Sequence, residues 1–245
     1  MAAAQRRGQG ARKPAGGRPY RHEQKYLISE GEYALLSRRL QMTMAQDAHA
    51  AQNGGEYHIR SLYFDDPFDS AVRDKLDGIE ARDKIRIRIY NGSDSTIKLE
   101  RKHKDGPYIQ KSSLSLSRQE CDALLRGDYR FLLRRPEPFA GQMFGVFKLR
   151  QLRPKVLVDY DREPYVFPAE DVRITFDKNV RTAMRATALF DPDVPTYPVM
   201  ELKNCVLLEV KFNESLPAYI QMLIQMGAAQ RTAFSKYLFC RRYEF

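Results

Sequence analysis

Hydrophobic and charged residues alternate along several short stretches of this chain. Side chains two positions apart lie on the same face of a β-strand. The stretch 82–90 therefore places isoleucines on one face and cations on the other, namely Lys84, Arg86 and Arg88. The stretch 95–103 repeats the pattern with Lys98, Glu100 and Lys102. The Asn-Gly turn at 91–92 predicts a hairpin in which the two charged rows are neighbours.

The same periodicities, read along the whole chain, predict many strands with a few helices between them. Strands are expected at 21–28, 57–64, 82–90, 95–103, 107–116, 155–162, 171–177, 197–203 and 205–212. Capping boxes at Ser29 and Ser117 each predict the start of a helix, and helices are expected at 30–41, 68–77, 117–126, 138–152 and 216–226 and after Ser235. Because most strands are sequence neighbours, we expect an α+β fold, an antiparallel β-barrel of about eight strands that closes into a tunnel.

Two arrangements of this sheet satisfy the pattern. In the first, the apolar face forms the core and the charged face meets water. In the second, the sheet closes around its charged face, and helices cover its apolar outside. Enclosed charges need compensation, and cations outnumber glutamates on these faces, so a triphosphate or longer phosphate chain would supply the missing negative charge. The periodicity alone leaves both arrangements open.

The formal charge of the chain is +10, but five of its cations lie in the first 19 residues, where there is no acid. We expect residues 1–19 to be a disordered basic tail and residues 20–245 to form one domain with a net charge of +5. No stretch is apolar enough for a signal peptide or a membrane span. The three cysteines are far apart, which argues against disulfides or a zinc cluster. A cytoplasmic protein is therefore expected.

Seven short stretches stand in a specific order, namely 21–26 (RHEQKY), 61–66 (SLYFDD), 82–90 (RDKIRIRIY), 98–102 (KLERK), 172–177 (VRITFD), 208–211 (LEVK) and 235–237 (SKY). In this order they resemble the VTC (vacuolar transporter chaperone) domain, the polyphosphate polymerase branch of the CYTH-like triphosphate tunnel metalloenzymes. The resemblance implies an antiparallel tunnel lined by cations, which is the second arrangement. It also implies a stand-alone member of bacterial type.

The resemblance assigns roles to individual residues. It implies that Arg86 and Arg88 grip the phosphates of a nucleotide, and that the phosphoryl-transfer site is completed by Lys98, Arg173 and Lys211. Further phosphate contacts are implied for Lys25, Lys102, Lys111, Arg162 and Lys236. Metal ligation of Mn²⁺ or Mg²⁺ is implied for Glu209, Glu100 and Glu23.

Two positions differ from what the family resemblance and the strand pattern would lead us to expect. Hydrolytic relatives begin with a Glu-x-Glu-x-Lys row, whereas this chain has Arg21 in the first place, which favours the polymerase branch and a single metal. Counting by twos places Arg162 with Val158 and Tyr160, so a bulge would be needed to turn Arg162 inward.

The leading hypothesis is a metal-dependent phosphotransferase that moves the γ-phosphoryl group of ATP to a growing polyphosphate chain. Its partners would be ATP and inorganic polyphosphate or pyrophosphate, with no specific nucleic acid. Neither a catalytic Ser/His/Asp set nor a Walker-type phosphate loop occurs. The alternatives are a hydrolase of triphosphate or short polyphosphate, a non-catalytic polyphosphate- or nucleotide-binding module and, ranked last, nucleic-acid binding through the tail and outer basic residues.

Overall fold

The computed structural model describes residues 22–106, 108–213, 215–225 and 231–242, so the predicted basic tail and Arg21 lie outside the described residues. The strands are β1 His22–Ser29, β2 Ala45–Gln46, β3 Tyr57–Asp65, β4 Arg82–Tyr90, β5 Ser93–Asp105, β6 Tyr108–Leu116, β7 Arg153–Phe167, β8 Val172–Thr182, β9 Tyr197–Pro198 and β10 Cys205–Phe212. The α-helices are α1 Glu30–Thr43, α2 Ala48–Ala51, α3 Ser70–Leu76, α4 Arg118–Leu125, α5 Pro138–Arg150, α6 Ala218–Leu223 and α7 Lys236–Arg241.

Local sequence signals place most of these elements. The predicted capping boxes are present, from Ser29 to Glu32 at α1 and from Ser117 to Glu120 at α4. Gly92 and its neighbour Asn91 both have positive φ, as the tight hairpin turn between β4 and β5 requires. The expected strand at 197–203 is wrong: it is only the two-residue β9 followed by a 3₁₀ turn. Pro198 has no N–H to donate to a ladder, which explains the early end.

All ten strands belong to one antiparallel sheet in the order β1-β10-β8-β7-β3-β4-β5-β6, with β2 on β7 and β9 on β8. The expected closed barrel is not observed, because among the described strands no ladder joins β1 to β6. The sheet is an open half-barrel. The free edge of β1 is partly used by the C-terminal segment, where Thr232 N donates to Lys25 O at 2.8 Å and Tyr26 bridges Arg231. Those β1 groups cannot also pair with β6.

The convex face of the half-barrel is apolar and covered by helices. Ile85, Ile87 and Ile89 pack in one cluster with residues of α4 and α5, such as Leu124 and Phe147. At the other end of the sheet, strands β1, β8 and β10 pack against α1 and α6. Each fully buried isoleucine of this kind stabilises the fold by about 1.5–3 kcal/mol. The isoleucine rows thus face helices rather than the charged side, as the second arrangement requires.

The concave face is charged toward its ends and apolar near its middle. Val156, Val158 and Leu207 lie in a cluster with Tyr237 of α7. The ring of Tyr237 stacks on Tyr63 of β3, with 4.9 Å between the ring centroids. Helix α7 therefore packs against the inner side of the sheet and leaves the charged side chains around it.

Candidate functional site

Charged side chains of seven strands and α7 meet on the concave face. We call this surface the charged groove, defined by Glu23, Lys25, Arg86, Arg88, Glu100, Lys102, Lys111, Arg162, Asp177, Glu209, Lys211 and Lys236. Alternation along each strand brings the strand members to one side of the sheet, the concave face. Antiparallel pairing then sets the rows side by side.

One wall of the charged groove is formed by β4 and β5. Arg86 binds Glu100, with 2.7 Å between Nη2 and Oε2, and also donates to the Tyr63 hydroxyl at 2.8 Å. Arg88 is only 5% exposed and donates to the Tyr160 hydroxyl at 3.0 Å. Burial favours a raised pKa for Glu100, but the charges of Arg86, Arg88 and Lys111 outweigh it, so the pKa lies well below its usual range. Glu100 is thus an ionised partner shared by several cations.

The opposite wall is formed by β1 and β10. The carboxylate of Glu23 lies 3.0 Å from Lys25 Nζ and 2.9 Å from Lys102 Nζ. Glu209 contacts Lys211 and lies 3.5 Å from Lys25 Nζ. Burial and the nearby charge of Glu209 both raise the pKa of Glu23, but the three lysines lower it to about 2 overall. Two carboxylates and three ammonium groups therefore form one ionised cluster.

A third cluster centres on Asp177, a residue that the sequence reasoning did not select. Arg162 holds it through two parallel hydrogen bonds, Nε–Oδ1 at 2.7 Å and Nη2–Oδ2 at 2.8 Å. Lys236 donates to Oδ2 at 2.5 Å and lies 4.5 Å from the centroid of the Tyr160 ring. The sequence did contain a signal for Asp177, since this residue ends the stretch 172–177 and shares a strand face with Arg173.

Arg162 faces inward without the expected bulge in its pairing with β3, although the register between β7 and β8 shifts between Asp159 and Asp161. The register between β3 and β7 runs without interruption from Tyr57–Arg162 to Tyr63–Val156. Arg162, Tyr160 and Val158 therefore share one face, and that whole face is concave. The error came from assigning valines and a tyrosine to the convex side, whereas they pack under α7.

Two predicted residues stand apart from the ion-pair clusters. Lys98 pairs with Arg88 in register, and its Nζ donates to Ser115 Oγ at 2.6 Å. Arg173 pairs with Lys211 in register, but its guanidinium binds Asp47 at 2.7 Å and the Tyr57 hydroxyl at 3.2 Å. Both lie on the strand face that carries the charged groove, and their predicted roles in phosphoryl transfer stay predictions.

The three glutamates predicted to hold a metal do not meet at one point. Within the described ranges, no group of three or more His, Cys, Asp or Glu side chains could hold a metal ion. Glu100 lies on the β4–β5 wall, neutralised by Arg86 and its neighbours, whereas Glu23 and Glu209 lie together on the other wall. That pair still fits Mg²⁺ or Mn²⁺, because Mg²⁺ usually takes one or two carboxylates and completes its shell with waters and substrate phosphates.

The charge balance of the charged groove indicates its ligand. Eight cations share four carboxylates, and all four carboxylates are buried or nearly so. Like charges brought together out of water repel one another and lose hydration. A compact anion with several charges would relieve both costs, and arginine and lysine are well suited to phosphate oxygens.

A comparison with solved structures finds several that resemble this chain. A protein from Hippeastrum, described as a candidate adenylyl cyclase with a dominant triphosphatase activity, has a TM-score of 0.55 at 12% identity, covering 92% of this chain and 96% of that one. A candidate adenylate cyclase from Bacillus halodurans scores 0.48 at 12% identity, covering 83% and 86%. A Pyrococcus horikoshii protein scores 0.44 at 12% identity, covering 87% and 95%. At such identities the Hippeastrum likeness shows the fold alone.

The family of this chain is shown by comparison of its sequence rather than by the solved structures. A comparison with curated proteins finds no match. The described helices include none that is both long and apolar enough to span a lipid bilayer. The profile of the VTC domain matches residues 20–245. This chain belongs to the VTC domain family.

Proposed function

We propose that this chain binds ATP and a linear phosphate chain in the charged groove and transfers a phosphoryl group between them. The observation that carries the proposal is the excess of eight cations over four carboxylates on a largely buried surface. Membership of the VTC domain family supports an activity on polyphosphate or triphosphate. We expect the phosphates to lie enclosed between the two walls of the charged groove.

Phosphoryl transfer needs little covalent chemistry from a protein, and positioning and charge neutralisation provide most of the rate. Arg86 and Arg88 would hold the donor phosphates, since each guanidinium offers a planar fork of N–H groups. On binding, phosphate oxygens would replace part of their present contacts to Glu100 and Tyr160. The acceptor is already an ionised phosphate, so no dedicated general base is required.

The remaining cations would align donor and acceptor. Lys25 and Lys211 line one wall, and Lys102 reaches across to it from β5. Arg162 and Lys236 lie together on Asp177. The family implies dependence on a divalent metal. Held by Glu23 and Glu209, Mn²⁺ or Mg²⁺ would neutralise charge on the donor phosphates. Lysines that now pair with those glutamates would then be free to contact phosphate.

Two reactions fit this groove. VTC domain membership favours polymerisation, in which the acceptor is the end of a polyphosphate chain. Hydrolysis is the second candidate, favoured by the triphosphatase activity described for the Hippeastrum protein of the same fold. The two differ only in whether phosphate or water occupies the acceptor position. A binding module without turnover would use the same cations.

Incubation of the purified chain with ATP and Mn²⁺ separates these functions. We expect a ladder of products on a polyacrylamide gel stained for polyphosphate, absent with Arg86→Ala and Glu209→Gln. The matched control is Arg130→Ala, because Arg130 is 82% exposed and pairs only with its neighbour Asp128 among the described residues. Release of free phosphate without a ladder would favour the hydrolase. Tight binding with no turnover, unaffected by Glu209→Gln, would favour the binding module.

A further inference from the structure

A second concentration of positive charge lies in the segment that contains α5. Residues 126–155 contain eight lysines and arginines but only two carboxylates, a net charge of +6. Residues 20–245 as a whole carry a net charge of +5. The segment runs from the end of α4 through α5 into β7, and both helices pack against the isoleucine rows on the convex face of the sheet. The formal excess of positive charge in the domain therefore lies in this segment and not in the charged groove.

Half of these cations have no carboxylate partner. Four of the eight make ion pairs, namely Arg130, Arg135, Arg150 and Lys155. In the described ranges, no carboxylate lies within 4.0 Å of the charged groups of the other four, namely Arg126, Arg134, Lys148 and Arg153. All four of these side chains are exposed. We call the surface formed by these four cations, together with Leu133 and Leu149, the α5 surface.

Three of the unpaired cations converge on a cavity of about 340 Å³ between α5 and the residues that follow α4. Arg126 and Lys148 line this cavity. Arg153 lies beside it, because its Nη1 atom would be 3.1 Å from a Cβ atom on the lining residue Gly127. Asp128 is the one carboxylate among the described residues of the lining, and both its oxygens already accept hydrogen bonds at 2.9 Å from a neighbouring arginine. An anionic group in the cavity would therefore meet cations that have no other ionic partner.

Two leucines of the α5 surface expose aliphatic side chains next to these cations. Leu149, which follows Lys148, is 85% exposed, the largest fraction among the exposed large hydrophobic side chains of the described residues. Leu133 is 60% exposed, in the 3₁₀ turn that packs against α5. Helix α5 has no charged side chain before Lys148. Aliphatic side chains gain free energy on leaving water, and exposed cations gain it on contacting anions. The α5 surface thus suits a partner with an anionic layer above an apolar one.

This combination of cations and leucines favours one class of partner. A nucleic acid or an inorganic phosphate chain would neutralise the cations but leave both leucines in water. A second copy of this chain would bring like charges face to face across a symmetric interface, which is unfavourable. The surface of an anionic bilayer offers lipid phosphates to the cations and hydrocarbon to the leucines just below them.

We propose that the α5 surface is a membrane-docking surface, which binds bilayers that contain anionic phospholipids. A lipid phosphate would enter the cavity beside Arg126, Lys148 and Arg153. Leu149 and Leu133 would insert into the hydrocarbon. Because α5 packs on the convex face of the sheet, docking would leave the charged groove on the concave face open to water. Docking goes beyond the proposed function and does not depend on phosphoryl transfer.

The test is co-sedimentation of the full chain with lipid vesicles, made of phosphatidylcholine alone or of phosphatidylcholine and phosphatidylglycerol in equal parts. We expect wild type to bind the anionic vesicles and not the neutral ones. Lys148→Gln/Arg153→Gln is expected to weaken this binding about tenfold or more, because each cation near an anionic surface contributes separately. Leu149→Ser keeps the charge and is expected to weaken the binding about threefold or more, because one aliphatic side chain no longer enters the hydrocarbon.

The matched controls change exposed side chains on other elements. Arg39→Gln/Lys203→Gln removes two exposed cations outside the α5 surface, and Met42→Ser removes a side chain that is 79% exposed on α1. Both controls are expected to bind anionic vesicles within about twofold of wild type. Arg88→Met, which removes a cation of the charged groove, is expected to keep the same vesicle affinity.

Each of the following results would overturn the inference. Unchanged binding by Lys148→Gln/Arg153→Gln would show that another basic segment carries the interaction, and a loss confined to Arg88→Met would assign it to the charged groove. Full binding by Leu149→Ser would show that this leucine does not enter the hydrocarbon. Weaker binding of a DNA duplex by the double variant, with vesicle binding intact, would assign the surface to nucleic acid. Absence of wild-type binding to anionic vesicles would also refute docking, and the proposed function would stand, since it is tested separately with ATP.

Discussion

Lys102 of β5 donates to both carboxylate oxygens of Glu23 on β1, at 2.9 Å each, although these strands are seventh and first in the order of the sheet. Such a contact requires the sheet to curl until its two ends approach. No ladder closes this gap among the described strands. Side-chain contacts span it instead, together with the hydrogen bond from Lys84 to Ser235. The curl gives the charged groove its enclosed geometry.

The position of Lys102 makes anion binding sensitive to pH. Burial lowers the pKa of Lys102 to about 8, against the opposing charge of Glu23. As the pH rises through about 8, the free protein loses the positive charge of this lysine and with it part of its affinity for phosphate. We expect the affinity for tripolyphosphate to fall between about pH 7 and 9.5 more steeply in wild type than in Lys102→Met. Calorimetry at several pH values measures this, and parallel profiles would contradict it.

Removal of Glu100 should destabilise the free protein. Glu100 is 3% exposed and shared by Arg86, Arg88 and Lys111, so Glu100→Gln leaves several cations without their partner. Removing one member of a buried ion pair costs about 3–5 kcal/mol of unfolding free energy. We expect denaturant unfolding to show a loss of this order and added tripolyphosphate to recover much of it.

The control for that experiment is Asp122→Asn. Asp122 pairs with Arg118 on the exposed side of α4, and exposed pairs of this kind contribute less than about 1 kcal/mol. A loss in Glu100→Gln no larger than in the control would show that the cations of the β4–β5 wall are well solvated. Such a result would weaken the case for an enclosed anion site.

Helix α7 depends on a buried hydrogen bond. The Tyr237 hydroxyl donates to Asp65 Oδ2 at 2.6 Å, and Asp65 is fully buried. Tyr237→Phe leaves that carboxylate without one donor, at a cost of about 1–3 kcal/mol. Because Lys236 precedes Tyr237, we expect a lower melting temperature and weaker tripolyphosphate binding. Tyr197→Phe is the control at an exposed tyrosine. Loss of stability with unchanged affinity would separate α7 from the phosphate site.

His58 gives a second pH dependence, on the convex side of the sheet. The carboxylates of Asp159 and Asp161, at 3.7 and 3.1 Å from its ring nitrogens, raise the pKa of His58 to about 9, against an ordinary value of about 6.5. A raised pKa means that the charged imidazole stabilises the fold below about pH 6.5 and that this contribution is lost as the pH rises through about 9. We expect His58→Gln to lower the melting temperature most at pH 6 and least at pH 10. A difference independent of pH would contradict this assignment.

Much of this fold was predictable because its signals are local. Strict alternation placed the strands at 82–90 and 205–212, and capping boxes placed the starts of α1 and α4. Isoleucines on one face of β4 and arginines on the other also predicted that the two faces of the sheet lie in different environments, one apolar and one charged. Those signals depend only on residues close together in the sequence, so they can be recognised without knowing the rest of the fold.

The remaining features depend on residues far apart in sequence. The alternation in β7 cannot distinguish valines that face α4 and α5 from valines that face α7, and this produced the error at Arg162. Closure of the sheet depends on what occupies the edge of β1, and that is settled by Arg231 and Thr232, some 200 positions away. The separation of Glu100 from the other two glutamates likewise follows from the strand order, which places β5 near the opposite end of the sheet from β1 and β10.

The central claim is that the concave charged groove binds a linear phosphate chain. Its most direct test is the calorimetric affinity for tripolyphosphate of wild type, Arg88→Met and Arg130→Met. Arg88 is buried in the groove, whereas Arg130 is 82% exposed outside it. We predict a loss of affinity of tenfold or more, about 1.4 kcal/mol, in Arg88→Met and none in Arg130→Met. Equal affinities in all three proteins, or no binding by wild type, would contradict the claim.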